Sequence, residues 1–181
     1  MHNLKIILVG YRATGKTTIG KLLADRLSFN FIDMDKAIES RENSLIRDLV
    51  KTKGWPYFRE KEKCLLEELI NQQDRLVIAT GGGAILHQEL WPKVLRAGMV
   101  VWLKADQETI CRRLAEDALT CSQRPSLTGG GTEQEVASVL AQREPLYKAG
   151  SHIAVDTAGK TITEIVDTVL AQYKSRFPNN G

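Results

Sequence analysis

Eight consecutive residues, Gly10-Tyr11-Arg12-Ala13-Thr14-Gly15-Lys16-Thr17, bring together the groups needed to grip a polyphosphate. They match G-x-x-x-x-G-K-[ST] in full. Gly10 and Gly15 let the backbone bend until its N–H groups converge on phosphate oxygens, and a following helix N-terminus adds partial positive charge. Lys16 has the length to reach β and γ phosphates, and Thr17 offers a hydroxyl to Mg²⁺. Thr14 and Thr18 complete the expected nucleotide-binding set. A chance match in a glycine-containing turn is the plain alternative. The flanks argue against it, because Lys5 to Val9 has the pattern of a buried strand and Ile19, Leu22, Leu23 and Leu27 form one apolar helical face.

Further chemistry-bearing residues follow at the ends of later apolar runs. Asp33 and Asp35 stand at the end of the run Phe29 to Ile32, where open α/β sheets bind their ligands. Alternation sends both to one side, beside a loop holding phosphate and Mg²⁺, although Asp35 could equally cap the next helix. Leu76-Val77-Ile78-Ala79-Thr80 runs into Gly81-Gly82-Gly83, which would admit a ligand close to free backbone N–H groups. Arg59, by itself, is most simply a solvated helix charge, and Arg143 lies on a helical stretch that reaches Gln142-Arg143-Glu144-Pro145-Leu146-Tyr147.

The elements that must position these residues alternate in type. Strands are expected at Lys5 to Val9, Phe29 to Ile32, Leu76 to Thr80, Met99 to Leu103 and His152 to Val155, with helical spacing between them. A helical region is expected from about Ser44, broken near Gly54-Trp55-Pro56. Trp91-Pro92 starts or interrupts another helix, a further one begins near Asp106, and Pro145 should kink or end the one that carries Arg143. Thr132-x-x-Glu135 and Thr161-x-x-Glu164 are capping-box signatures. From about Thr120 to Thr132 periodicity vanishes in a glycine-rich segment holding Arg124, which reads as a mobile lid. The alternation predicts an α/β fold with a five-stranded parallel sheet and helices on both faces.

Size and charge narrow the function. With 181 residues the chain suits one core, expected over 1–174 with the lid at about 118–132 and a frayed tail at 175–181. The net charge of +3 suits an anionic small molecule better than a nucleic-acid duplex. No apolar run approaches the roughly 20 residues that span a bilayer, so a cytoplasmic protein with no membrane partner is expected. Cys64, Cys111 and Cys121 lack C-x-x-C spacing and indicate neither a disulfide framework nor a zinc site. Cys111 should fill an apolar helix face. Asp156-Thr157-Ala158-Gly159 looks like a GTPase switch element, but it lies near the C-terminus and no N-K-x-D occurs, so a strand-to-helix turn is the better account.

As a set, these motifs resemble the shikimate kinase family over nearly the whole chain. The resemblance rests on Gly10 to Thr17, Phe31-Ile32-Asp33-Met34-Asp35, Phe58-Arg59, Gly81-Gly82-Gly83, Gln123-Arg124-Pro125 and Arg143-Glu144-Pro145-Leu146-Tyr147, in the family's order. It implies a three-layer P-loop kinase fold and transfer of the γ-phosphoryl group of ATP to the 3-hydroxyl of shikimate by a monomer. It further implies that Lys16 and the loop amides hold phosphates, with Thr17 directly and Asp33 through water serving Mg²⁺. Asp35 would bond the acceptor hydroxyls and assist their deprotonation. Arg59 and Arg143 would clamp the carboxylate, Gly81 and Gly82 would add backbone contacts, and Arg124 would close over the transferred phosphate. Arg113 looks like the arginine that lies against adenine. The turn Asp156 to Thr161 lacks the proline that family members often place against adenine; Lys160 is a candidate there. The rivals are a kinase of similar fold acting on gluconate or a nucleoside monophosphate, and a non-catalytic ATP-binding module.

Overall fold

A computed structural model describes residues 5–116 and 132–178. The expected lid, with Arg124, lies outside the described residues apart from the start of the next helix at Thr132. Five strands form one parallel sheet in the order β2-β3-β1-β4-β5: β1 Lys5–Val9, β2 Asn30–Asp33, β3 Leu76–Ala79, β4 Met99–Lys104 and β5 Ile153–Asp156. Their nearly unbroken apolar runs suit parallel strands covered on both faces.

Alternation along β1 divides the core. Ile6 and Leu8 pack with Ile19 and Leu23 of α1 (Lys16–Leu27) and with Val166 and Val169 of the last helix, α7 (Ile162–Arg176). Ile7 and Val9 face the other way, onto Phe58 and Leu66 of α3 (Ile46–Asn71) and Val94 of α4 (Trp91–Ala97). Side chains on one strand must alternate between faces, so each face receives its own helical layer. A smaller apolar group joins Tyr11 to Ile110 and Leu114 of α5 (Gln107–Glu116) and to Val136 and Val139 of α6 (Thr132–Ala149). Cys111, half-buried, packs against that group as expected.

Several local expectations change. α2 (Met34–Glu42) begins directly after β2, and its cap is Asp33, which accepts from Lys36 N at 3.2 Å; Asp35 therefore sits in the first helical turn. The expected break near Gly54-Trp55-Pro56 is present: Gly54, at φ 82° and ψ 166°, is non-helical, and α3 is two helices that meet at a kink there. Pro56 falls where a resumed helix tolerates a missing N–H. Pro145 does not end α6, which runs to Ala149. Contacts on either side of the proline hold that helix: Arg143 and Tyr147 both donate to the Gly82 carbonyl, and Tyr147 stacks on Trp102. The Thr161–Glu164 capping box forms in full. At Thr132 the side chain is outside the described residues, while the Glu135 carboxylate pairs with Arg12. α7 runs to Arg176, two residues into the expected tail.

Candidate active site

Because all strands are parallel, their C-terminal ends meet along one edge. Gly10, Asp33 and Gly81 leave neighbouring strands there, with Leu8 paired to Ala79 and Ala79 to Asp33. Gly10 adopts φ 142°, and a Cβ at that position would lie 2.2 Å from the Leu103 carbonyl oxygen, so the loop can only leave β1 through glycine. Thr14 is buried and donates to the Tyr11 carbonyl at 2.8 Å, bracing the loop from inside. Gly15 caps α1, whose N-terminus faces the space the loop encloses. The Lys16 ammonium bonds the carbonyls of Gly10 and Tyr11 at 2.8 and 2.7 Å. Thr18 is exposed in the first turn.

The Thr17 hydroxyl donates to the Asp33 carboxylate at 2.6 Å. Two hard oxygens at the mouth of a phosphate loop fit Mg²⁺, which takes few protein ligands and completes its shell with water and phosphate. No cluster of three or more His, Cys, Asp or Glu residues suited to a metal occurs among the described residues.

Beside this loop opens a cleft. Asp35 from α2, Arg59 and Glu62 from α3, Gly81 to Gly83, Arg143 from α6, and Tyr11 and Arg12 of the phosphate loop line it. The residues expected to hold an acceptor thus share one cavity. Arg59 is no solvated helix charge: it donates to Glu62 at 2.5 Å, lies against the rings of Trp55 and Phe58, and occupies the space over Gly83. Arg12 pairs with the buried Glu135. Arg143 differs. It is 8% exposed, its bond is to the neutral Gly82 carbonyl at 2.9 Å, and no carboxylate lies within ion-pair distance among the described residues. Tyr147 donates to the same carbonyl at 2.5 Å, and burial pushes its phenol up.

Arg113 is brought to the opposite side of the loop. Its guanidinium donates to Ala13 O at 3.2 Å and to Thr157 Oγ1 and O at 3.0 and 2.8 Å. Asp156 to Gly159 is thereby a turn anchored onto the phosphate loop, as the strand-to-helix account expected. Glu62, His87 and the Arg12–Glu135 pair were not among the residues singled out in the sequence. Only Arg59-x-x-Glu62 carried a signal, the i,i+3 spacing of an intrahelical ion pair.

The family profile described as Shikimate kinase matches residues 12–174. The chain belongs to the shikimate kinase family. The shikimate kinase of Syntrophus aciditrophicus is 40% identical, with 94% of this chain and 91% of the relative covered. That of Rhodopirellula baltica is 38% identical, covering 91% of this chain and 88% of its own. Among solved structures, shikimate kinase from Acinetobacter baumannii in complex with shikimate superposes with a TM-score of 0.88 at 32% identity, over 96% of this chain and 94% of that one. A gluconokinase from Sinorhizobium meliloti reaches a TM-score of 0.62 at 18% identity over 98% and 95% of the two chains, a likeness of fold alone. This shikimate kinase family member is an ATP-dependent phosphotransferase. No described helix is long and apolar enough to cross a membrane.

Proposed function

We propose that this kinase transfers the γ-phosphoryl group of ATP to the 3-hydroxyl of shikimate, with the acceptor in the cleft beside the phosphate loop. The observation that carries this reading is Arg143: a buried guanidinium facing a cleft, with a neutral carbonyl as its acceptor among the described residues, calls for an anionic partner, and a ring carboxylate is the one this acceptor offers. Arg59, on α3, serves the same carboxylate. Asp35 accepts from the acceptor hydroxyls, fixing the reacting one and drawing its proton. Gly82 uses its carbonyl on Arg143 and Tyr147, and its N–H and that of Gly81 serve the ligand in this reading.

On the donor side, the amides from Gly10 to Thr18 cradle the phosphates, and Lys16 exchanges its carbonyl partners for phosphate oxygens. Thr14 shapes that cradle from within, and the exposed Thr18 adds a hydroxyl to it. Thr17 and Asp33 would hold Mg²⁺, which when bound neutralises charge on the β and γ phosphates. Arg113, its N–H groups engaged with Ala13 and Thr157, presents its flat face to adenine. Arg124 supplies positive charge to the phosphoryl group in flight. Phosphoryl transfer needs alignment and charge stabilisation more than covalent help, and this inventory supplies both.

ADP release measured with shikimate, gluconate, quinate and nucleoside monophosphates in turn, with and without Mg²⁺, tests the reading. Release with shikimate alone, and only with Mg²⁺, is expected. Release with gluconate or a nucleoside monophosphate instead assigns the rival kinase, and silence with all of them leaves a nucleotide-binding module.

A further inference from the structure

Glu62 is fully buried, yet it belongs to no core pairing that the fold alone would require. Both of its donors converge on one oxygen: Arg59 Nη1 reaches Oε2 at 2.5 Å and His87 Nε2 lies 3.0 Å from it. The second oxygen, Oε1, has no partner among the described residues. A carboxylate only accepts, so the shared hydrogen belongs to Nε2 of His87. The histidine is itself 8% exposed and ends the 3₁₀ turn Ala84–Leu86 that grows out of the triple glycine, its N–H bonded to Ala84 O at 3.2 Å.

These contacts close a ring. Gly83 underlies the Arg59 guanidinium so closely that a Cβ there would lie 2.3 Å from Nη1, Arg59 binds Glu62, Glu62 binds His87, and the chain from His87 leads back to Gly83 in four residues. We propose that His87 is a positioning residue for the acceptor. By sharing Glu62 Oε2 it keeps the carboxylate from drawing Arg59 wholly to itself, and the guanidinium stays over Gly83, facing the cleft. The inference rests on Arg59 being an acceptor-binding residue.

Removing the histidine donor leaves Arg59 as the remaining partner of a buried carboxylate among the described residues, and a buried charge takes the strongest pairing it can find. Arg59 then turns inward and the acceptor loses a donor. The discriminating variants are His87→Gln, whose amide N–H can stand where Nε2 stands, and His87→Asn, which is polar but too short. The Michaelis constants for shikimate and ATP, kcat and the thermal midpoint are measured for both and for the wild type.

His87→Asn is expected to raise the shikimate KM roughly tenfold while the ATP KM moves less than about twofold. His87→Gln should return the shikimate KM to near the wild-type value. An unchanged shikimate KM in His87→Asn, parallel increases for both substrates, or failure of His87→Gln to rescue would each overturn the proposal. Wild-type turnover with shikimate in the same series keeps the two ideas separate: its presence beside an unchanged KM sinks the role of His87 alone, and its absence removes both.

Discussion

Three arginines line one small cleft, and each faces a different acceptor. Arg12 and Arg59 have the buried carboxylates of Glu135 and Glu62, whereas Arg143 has a peptide carbonyl. Among the described residues, the charge without a paired carboxylate is therefore on Arg143. Replacing it by lysine keeps the charge but loses the planar fork, so Arg143→Lys should raise the shikimate KM roughly 10- to 100-fold with far less effect on ATP. Equal losses for both substrates, measured by initial rates, would remove Arg143 from the acceptor clamp. Asp35 is the carboxylate from α2 in the same cleft, and Asp35→Asn keeps its size while deleting its charge. Turnover should fall by roughly 10²-fold or more with the circular dichroism spectrum unchanged. A kcat close to wild type would mean that the charge takes no part in the reaction.

At the scale of elements, the triple glycine after β3 is a surface on which other parts rest. Arg59 lies over Gly83, while Asp35 and Glu62 both crowd Gly81. In Gly83→Ala the new methyl group meets the far end of a flexible side chain, so the backbone can stay and the guanidinium must move. The expected result is a thermal midpoint within a few degrees of wild type and a shikimate KM raised roughly tenfold, with ATP binding kept. A large fall in midpoint would show that the turn itself is distorted.

The junction of β4 and β5 gives a pH-dependent case. His152 Nδ1 accepts from Val100 N at 2.9 Å, and burial, then Arg176, hold its pKa below the ordinary value. A folded-state pKa below the unfolded one stabilises the fold at pH above the unfolded value of about 6.5 and loses that stabilisation as pH falls through the folded value. Thermal midpoints taken from about pH 7.5 down to about pH 5 should drop less in His152→Gln, which keeps an acceptor and cannot titrate, than in the wild type.

For the whole molecule, the two faces of the sheet divide the labour. Cores on both faces hold the strands, but only the face covered by α3 and α6 also carries the cleft. Leu66 lies fully buried in that core on the helix that bears Arg59 and Glu62. Leu66→Ala should destabilise the protein by roughly 2–5 kcal/mol in denaturant titrations, since the cavity cannot fully collapse. At permissive temperature the shikimate KM should stay close to wild type, because the residue touches packing and not ligand. A selective loss of acceptor binding at unchanged stability would contradict that division.

The phosphate loop, the β-α alternation and the family were legible along the chain, because each is written in local spacing. G-x-x-x-x-G-K-T needs only adjacent residues, and buried parallel strands announce themselves as apolar runs. Helix ends were harder where tertiary contacts outweighed a local rule. Pro145 stays inside α6 since Arg143 and Tyr147 anchor both sides of it, and Asp33 rather than Asp35 caps α2 because the strand ends one residue later than its apolar run. Sequence could name Asp35, Arg59 and Arg143 as candidates but could not bring them to one cavity, for they are separated by 24 and 84 residues. Which arginine meets a carbonyl rather than a carboxylate among the described residues, and that Glu62 and His87 stand behind Arg59, depends on contacts between distant segments. Those contacts are made only when the sheet closes, so folding alone decided them.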